Sequence, residues 1–199
     1  MEQGDPVEIE VALDSETLDR VGVRIDNLPD WTALQHQQCP HCPLAAEKHP
    51  HCPVAIGLVD IIRRFDHLVS YDRVEITVVT EQRTITQRTS AQYAISSLIG
   101  LVMATSGCPH TAFFKPMARF HLPLASEEST IYRAAAMYLL AQFFLRREGK
   151  ASDPGLAGLG KIYENLHLVN LHIAKRLKDA TKTDSSVNAV VLLDSFTCT

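Results

Sequence analysis

Apolar and polar residues alternate in four short stretches of the first ninety residues, which predicts four strands. Residues 7–13 and 21–25 place Val, Ile or Leu at every second position, on either side of an acidic turn. Period-two alternation is typical of strands with one buried face. Residues 73–80 and 83–89 are rich in Val, Ile and Thr and flank a two-residue connection. The pattern therefore predicts two β-hairpins.

Apolar residues recur at helical spacing through most of the remaining chain. They predict four helices, which span residues 54–69, 90–105, 126–147 and 156–180. Ser126 is the predicted N-cap of the third helix, because its side chain can accept from free amides. We expect five residues of that helix to face the core: Ile131, Ala135, Tyr138, Leu139 and Phe143. Residues 185–194 are compatible with a short helix or a strand.

Two hairpins that each lead into a helix indicate an α+β fold. We expect an antiparallel sheet of two hairpins with helices packed on one face, followed by a helical C-terminal half. The 199 residues fit a single metal-binding domain, 1–199. Within it, residues 1–105 hold two hairpin–helix units with a Cys/His/Pro loop at 31–53, and residues 106–199 hold a Cys-Pro loop and the C-terminal helices.

Charge and hydropathy exclude two classes of partner. The chain has 19 basic and 23 acidic residues, a net charge of −4, whereas nucleic-acid binding needs a basic face. No apolar run is long enough to span a bilayer, and the N-terminal residues lack the features of a signal peptide. We therefore expect a cytoplasmic protein that binds neither nucleic acid nor membrane; a protein partner or a homo-oligomer is compatible with the sequence.

Four of the five cysteines directly precede a proline. Cys39, Cys42 and Cys52 lie within fourteen residues, and Cys108 follows the helix predicted at 90–105. A C-x-x-C turn can present two sulfurs to one cation, and proline stiffens such a turn. We therefore predict a metal site formed by these four cysteines. Cys198 is isolated in the sequence and is interpreted as a non-ligand.

Zinc is the metal that we expect, because a structural zinc site needs four protein ligands and no other groups. The same four thiolates could instead hold a 4Fe-4S cluster in a redox or sensor protein. His51 and His110 are candidate replacements for one thiolate, since imidazole is the other main zinc ligand. A zinc site of this kind indicates a structural or regulatory binding module.

A second alternative is a thiol–disulfide oxidoreductase that uses the pair in Cys39-Pro40-His41-Cys42. In such enzymes a helix N-terminus and the intervening histidine stabilise the first thiolate. The expected context is a preceding strand and a long helix, which the sequence does not show here. No other catalytic signature is present, so the sequence does not decide whether the protein is an enzyme.

The Cys-Pro segments and the run Lys115-Pro116-Met117-Ala118-Arg119-Phe120-His121-Leu122-Pro123 together resemble an uncharacterised bacterial family of unknown function. The resemblance covers residues 7–194. It implies that the Cys-Pro segments and the loop at 115–123 belong together, and it implies no activity.

Overall fold

Six helices and one β-hairpin make up the computed structural model, which describes residues 6–22 and 26–195. The elements are α1 (Pro53–Phe65), β1 (Arg73–Val79), β2 (Thr84–Ser90), α2 (Ala91–Ala104), α3 (Lys115–Arg119), α4 (Glu127–Arg147), α5 (Ala157–Ala180) and α6 (Ser185–Ser195). The α+β class and the helical C-terminal half are confirmed. The segment at 185–194 is a helix. None of the helices in the described ranges could cross a membrane.

The hairpin predicted at 73–89 is present. β1 and β2 pair antiparallel in a register that places Arg73 opposite Ser90 and Val79 opposite Thr84. Side chains of β1 are alternately exposed and half-buried, as the period-two pattern requires. The chain enters α2 directly from β2, and the Ala91 amide donates to the Asp72 carbonyl at 2.8 Å. The hairpin therefore lies against the start of α2.

The hairpin predicted at 7–25 is not formed in the described residues, so the sheet there has two strands rather than four. Leu13 and Arg20 make a single antiparallel bridge around the predicted turn, and residues 23–25 lie outside the described part of the chain. Val7 and Val21 are 45% and 46% exposed. Alternating apolar residues form a stable strand only where another layer covers them, and no such layer covers these two side chains.

The core lies where α1, α2, α5 and α6 meet. A Cβ atom on Gly57 would lie 2.8 Å from Cγ1 of Val102. Only glycine therefore allows α1 and α2 to approach this closely. Cys108 belongs to the same core cluster, and Cys39 and Cys52 pack against it, so three of the four predicted cysteine ligands adjoin the core.

Helix α4 begins as the sequence predicts, but its predicted core face is wrong. The Ser126 hydroxyl oxygen accepts from the Ser129 amide at 3.2 Å. Of the five residues expected to be in the core, Tyr138 is buried, whereas Ile131, Leu139 and Phe143 are exposed. The periodicity correctly indicates an apolar stripe; however, α4 lies outside the core cluster, and its described contacts are mainly with α3.

Candidate functional site

The loop that carries Cys39 and Cys42 is closed at its base by backbone hydrogen bonds. Ala33 and His51 form an antiparallel bridge, and the Cys52 amide donates to the Thr32 carbonyl at 2.8 Å. Cys52 is the residue immediately before α1. The two ends of the loop are therefore held together, and the third cysteine is fixed at the start of a core helix.

The chain has two Cys-Pro-His segments, at residues 39–41 and 108–110, and they lie against each other. The Cys42 amide donates to the Cys39 carbonyl at 3.0 Å, which closes the first Cys-Pro-His segment into a tight turn. His110 Nε2 donates to the His41 carbonyl at 3.0 Å. The rings of the same two histidines stack, with their centroids 4.0 Å apart. These contacts bring the Cys108 segment next to the Cys39–Cys42 turn, although about seventy positions separate them in the sequence.

The four cysteines are electrostatic neighbours. Burial raises the pKa of Cys39 to about 12, and the charges of Cys52, Cys108 and Cys42 contribute to that rise. The pKa of Cys108 is raised mainly by burial and also by Cys52 and Cys42, although its contact with the His110 amide opposes the rise. All four are free thiols. A negative charge on Cys39 or Cys108 is therefore disfavoured by burial and by the neighbouring cysteines.

The four cysteines influence one another's charge but do not form a preformed ligand set. Within residues 6–22 and 26–195, no three side chains of His, Cys, Asp or Glu are arranged to hold one metal ion. A coordinated zinc ion requires sulfur atoms about 2.3 Å from a common point. Occupation by a metal would therefore draw the four side chains further together.

The two candidate histidine ligands each have one ring nitrogen engaged by the protein. The Thr32 hydroxyl donates its only hydrogen to the Pro29 carbonyl at 2.7 Å, so His51 Nδ1 must donate to the Thr32 oxygen, 2.8 Å away. This tautomer leaves a lone pair on His51 Nε2. The bond from His110 Nε2 to the His41 carbonyl likewise leaves a lone pair on Nδ1.

His41 has a buried nitrogen with no hydrogen-bond partner among the described atoms. Its Nε2 donates to the Asn165 carbonyl at 3.1 Å, and its Nδ1 is the unpartnered atom. Burial, followed by the neighbouring His110, lowers the pKa of His41. The imidazole between Cys39 and Cys42 is therefore held neutral, with a lone pair that could accept from a thiol or bind a cation.

Arg176, which no motif in the sequence marks, anchors the cysteine loop. Arg176 is 2% exposed and donates to the carbonyls of Trp31, Ala33 and Leu34 at 2.7–2.8 Å. Burial lowers the pKa of its guanidinium, and the thiolates of three cysteines oppose that effect. The available signal was its position: Arg176 lies on α5 beside Ile173 and Leu177, on the face that the apolar periodicity assigns to the core.

Three histidines fasten the same loop to α5. His41 contacts Asn165 as described above, His172 Nδ1 donates to the Gln37 carbonyl at 3.0 Å, and His36 Nε2 lies 3.0 Å from Asp179 Oδ2. Asp179 and Asn165 are fourteen positions apart on one helix, about 21 Å along its axis. His36 and His41 of the loop, and His172 of α5, therefore hold the loop along this helix.

A mostly apolar cavity of about 160 Å³ lies between α2, α3 and α5. Thr111 connects it to the cysteine cluster, because its hydroxyl lies 2.6 Å from the Met103 carbonyl and 3.2 Å from the Cys108 carbonyl. His121 lines the cavity. Burial lowers the pKa of His121 to about 4, and the charge of Arg133 adds to this effect. His121 is consequently neutral at pH 7.

The depressed pKa of His121 predicts a loss of stability in mild acid. The unfolded chain takes up a proton near pH 6.5, whereas the folded protein resists protonation to about pH 4. Stability from this residue is therefore present above pH 6.5 and is lost as the pH falls toward 4. We expect His121→Gln to reduce the pH dependence of the unfolding free energy by on the order of 2 kcal/mol between these limits. Urea denaturation at both pH values measures this.

The matched control for that experiment is His67→Gln, because His67 is exposed. It should leave the pH dependence close to that of the wild type. Equal effects of the two substitutions would contradict the assignment of the acid sensitivity to His121.

Comparison with known proteins identifies the family but supplies no activity. Neither the curated proteins nor the solved structures contain a match to this chain. The model of one protein family, described as a domain of unknown function, matches residues 1–199. The chain therefore belongs to the DUF6901 family.

Proposed function

We propose that the protein binds a metal ion, expected to be zinc, through Cys39, Cys42, Cys52 and Cys108. The observation that supports the proposal is that Cys39, Cys52 and Cys108 adjoin one core cluster and that Cys39 is influenced by the charges of all three other cysteines. Neutral thiols can pack together without cost, but thiolates at these positions would repel one another unless a cation balances their charge. Zinc bound to thiolates supplies that balance.

Arg176 supports a site built to hold negative charge. The charge of Arg176 lowers the pKa of Cys39, against the effect of the other cysteines. Four thiolates around one divalent cation leave an excess negative charge, which a buried guanidinium nearby compensates in part. The lone pairs on His51 Nε2 and His110 Nδ1 allow either residue to replace one thiolate.

The site suits a structural or regulatory role. The loop at 31–53 has little regular secondary structure, with a short 3-10 turn at Asp30–Thr32 where it begins and one bridge, and a bound metal would add to the hydrogen bonds that already hold it. The metal would tie that loop to the segment after α2. A 4Fe-4S cluster is the alternative occupant, because it uses the same four thiolates.

The arrangement around Cys39 disfavours the thiol–disulfide alternative. Such enzymes place the first cysteine of the pair at a helix N-terminus, which lowers its pKa. Here Cys39 lies in a turn, and its pKa is raised to about 12. The attacking thiolate that this chemistry requires is therefore scarce at neutral pH.

The free thiols support an inference about the location of the protein, and the net charge supports one about its partners. We infer a cytoplasmic protein, because a reducing compartment keeps free cysteines available to a metal. The net charge of −4 argues against nucleic acid as a partner, and a protein partner or a homo-oligomer is compatible with it.

Elemental analysis of the untagged protein, purified without added metal, tests the proposal. We expect about one zinc ion per chain and a colourless preparation. A brown preparation that absorbs near 400 nm after anaerobic purification would assign the site to a cluster instead. Protein that contains neither zinc nor iron, and that takes up neither after reduction, would refute metal binding.

A further inference from the structure

Helix α4 presents a continuous apolar stripe to solvent. Six large apolar side chains on this helix are between 37% and 73% exposed. They are Ile131, Tyr132, Leu139, Leu140, Phe143 and Phe144. Positions 132, 136, 139, 140 and 143 follow the spacing of one helical face, and Phe143 and Phe144 pack edge-to-face. An exposed apolar patch of this extent on a folded chain marks an interaction surface.

We propose that this stripe is a dimer interface, in which α4 of one chain packs antiparallel against α4 of a second copy. The charges at the two ends of the helix support this occupant. Glu127 and Glu128 lie in the first turn, and Arg146 and Arg147 lie in the last. In residues 6–22 and 26–195 none of these four forms an ion pair within its own chain.

An antiparallel pair places the acidic start of each helix beside the basic end of the other. If the two-fold axis passes near residues 137 and 138, Tyr132 faces Phe143 of the second copy and Glu128 faces Arg147. The same two-fold axis therefore pairs apolar side chains with each other and the acidic end of each helix with the basic end of the other. A parallel pair would instead bring like charges together at each end, which is unfavourable.

The stripe supplies about half of the area that a standard dimer interface buries. Its large side chains on this face, Tyr132, Leu139, Leu140 and Phe143, offer on the order of 400 Å² of apolar surface per protomer. A standard specific interface buries about 800 Å² per partner. The charged residues at both helix ends supply a polar rim around the apolar centre.

Light scattering coupled to gel filtration, over a range of concentrations, tests the proposal. We expect a dimer for the wild type and a monomer for Phe143→Glu, with the dissociation constant raised more than about 30-fold. The matched control is Tyr71→Glu, because Tyr71 is an exposed aromatic residue outside α4, and it should remain dimeric. A wild type that stays monomeric at all concentrations would overturn the proposal.

Charge reversal tests the antiparallel arrangement without altering the apolar residues. We expect Glu128→Arg and Arg147→Glu each to weaken the dimer about tenfold at low salt, and the double variant to restore wild-type affinity. Because these positions are exposed, the variants should fold normally. A dimer that neither single substitution weakens, or that the double variant fails to restore, would overturn the antiparallel pairing.

Discussion

Replacing Cys52 by serine is expected to abolish metal binding, reducing zinc from about one ion per chain to nearly none. A serine hydroxyl stays protonated at neutral pH and is a poor ligand for zinc. Because a metal bound only by the folded chain stabilises it, the loss of the proposed metal should also lower the unfolding free energy, by about 3 kcal/mol or more. Elemental analysis and urea denaturation, with and without a chelator, measure the two effects.

The position of Cys52 makes this experiment easier to interpret. Cys52 is the N-cap of α1 and makes no side-chain hydrogen bond there. Serine is a favourable N-cap residue, so the substitution should stabilise the helix itself. A fall in stability would therefore reflect lost metal. Cys198→Ser is the control, because Cys198 is the one cysteine with no proline after it. Retention of zinc by Cys52→Ser would remove Cys52 from the ligand set.

Helical periodicity predicted most of the fold because it depends on short-range spacing. The bounds of α2, α4 and α5 agree with the sequence pattern to within one or two residues. Alternation near the N-terminus was less informative, since it shows which side chains share a face and not whether another layer covers that face. The same limitation applies to α4, whose stripe was predicted to be in the core and is exposed instead.

The cysteines of the candidate site could be grouped from the sequence because the Cys-Pro repeat marks them. The surroundings could not be predicted in the same way. His41 and His172 contact backbone carbonyls more than 120 positions away, and backbone acceptors carry no sequence signature. Arg176 did leave a signal, because a charged residue at a core position of a helix is rarely buried without a set of partners.

Substitution of Arg176 by methionine is expected to cause a large loss of stability. Methionine preserves most of the volume and the apolar contacts of the side chain, but it has no hydrogens to donate. The carbonyls of Trp31 and Leu34 would then lose this donor, whereas the Ala33 carbonyl would keep the His36 amide, 3.1 Å away. Each of the two unsatisfied carbonyls costs about 1–3 kcal/mol, and Ala33 loses one of its two donors, so we expect a loss of about 3–5 kcal/mol in unfolding free energy.

Two further substitutions separate the roles of charge and geometry at this position. Arg176→Lys keeps the charge, but one ammonium group cannot reproduce the planar fork that reaches three carbonyls, so we expect an intermediate loss. Lys175→Met is the control, because Lys175 is the exposed neighbour on the same helix, and it should be nearly neutral. The hydrogen bonds do not involve the metal, so the loss should persist after chelation. If Arg176→Met loses stability only when zinc is present, charge compensation at the thiolates, and not the anchoring of the loop, is the main role of Arg176.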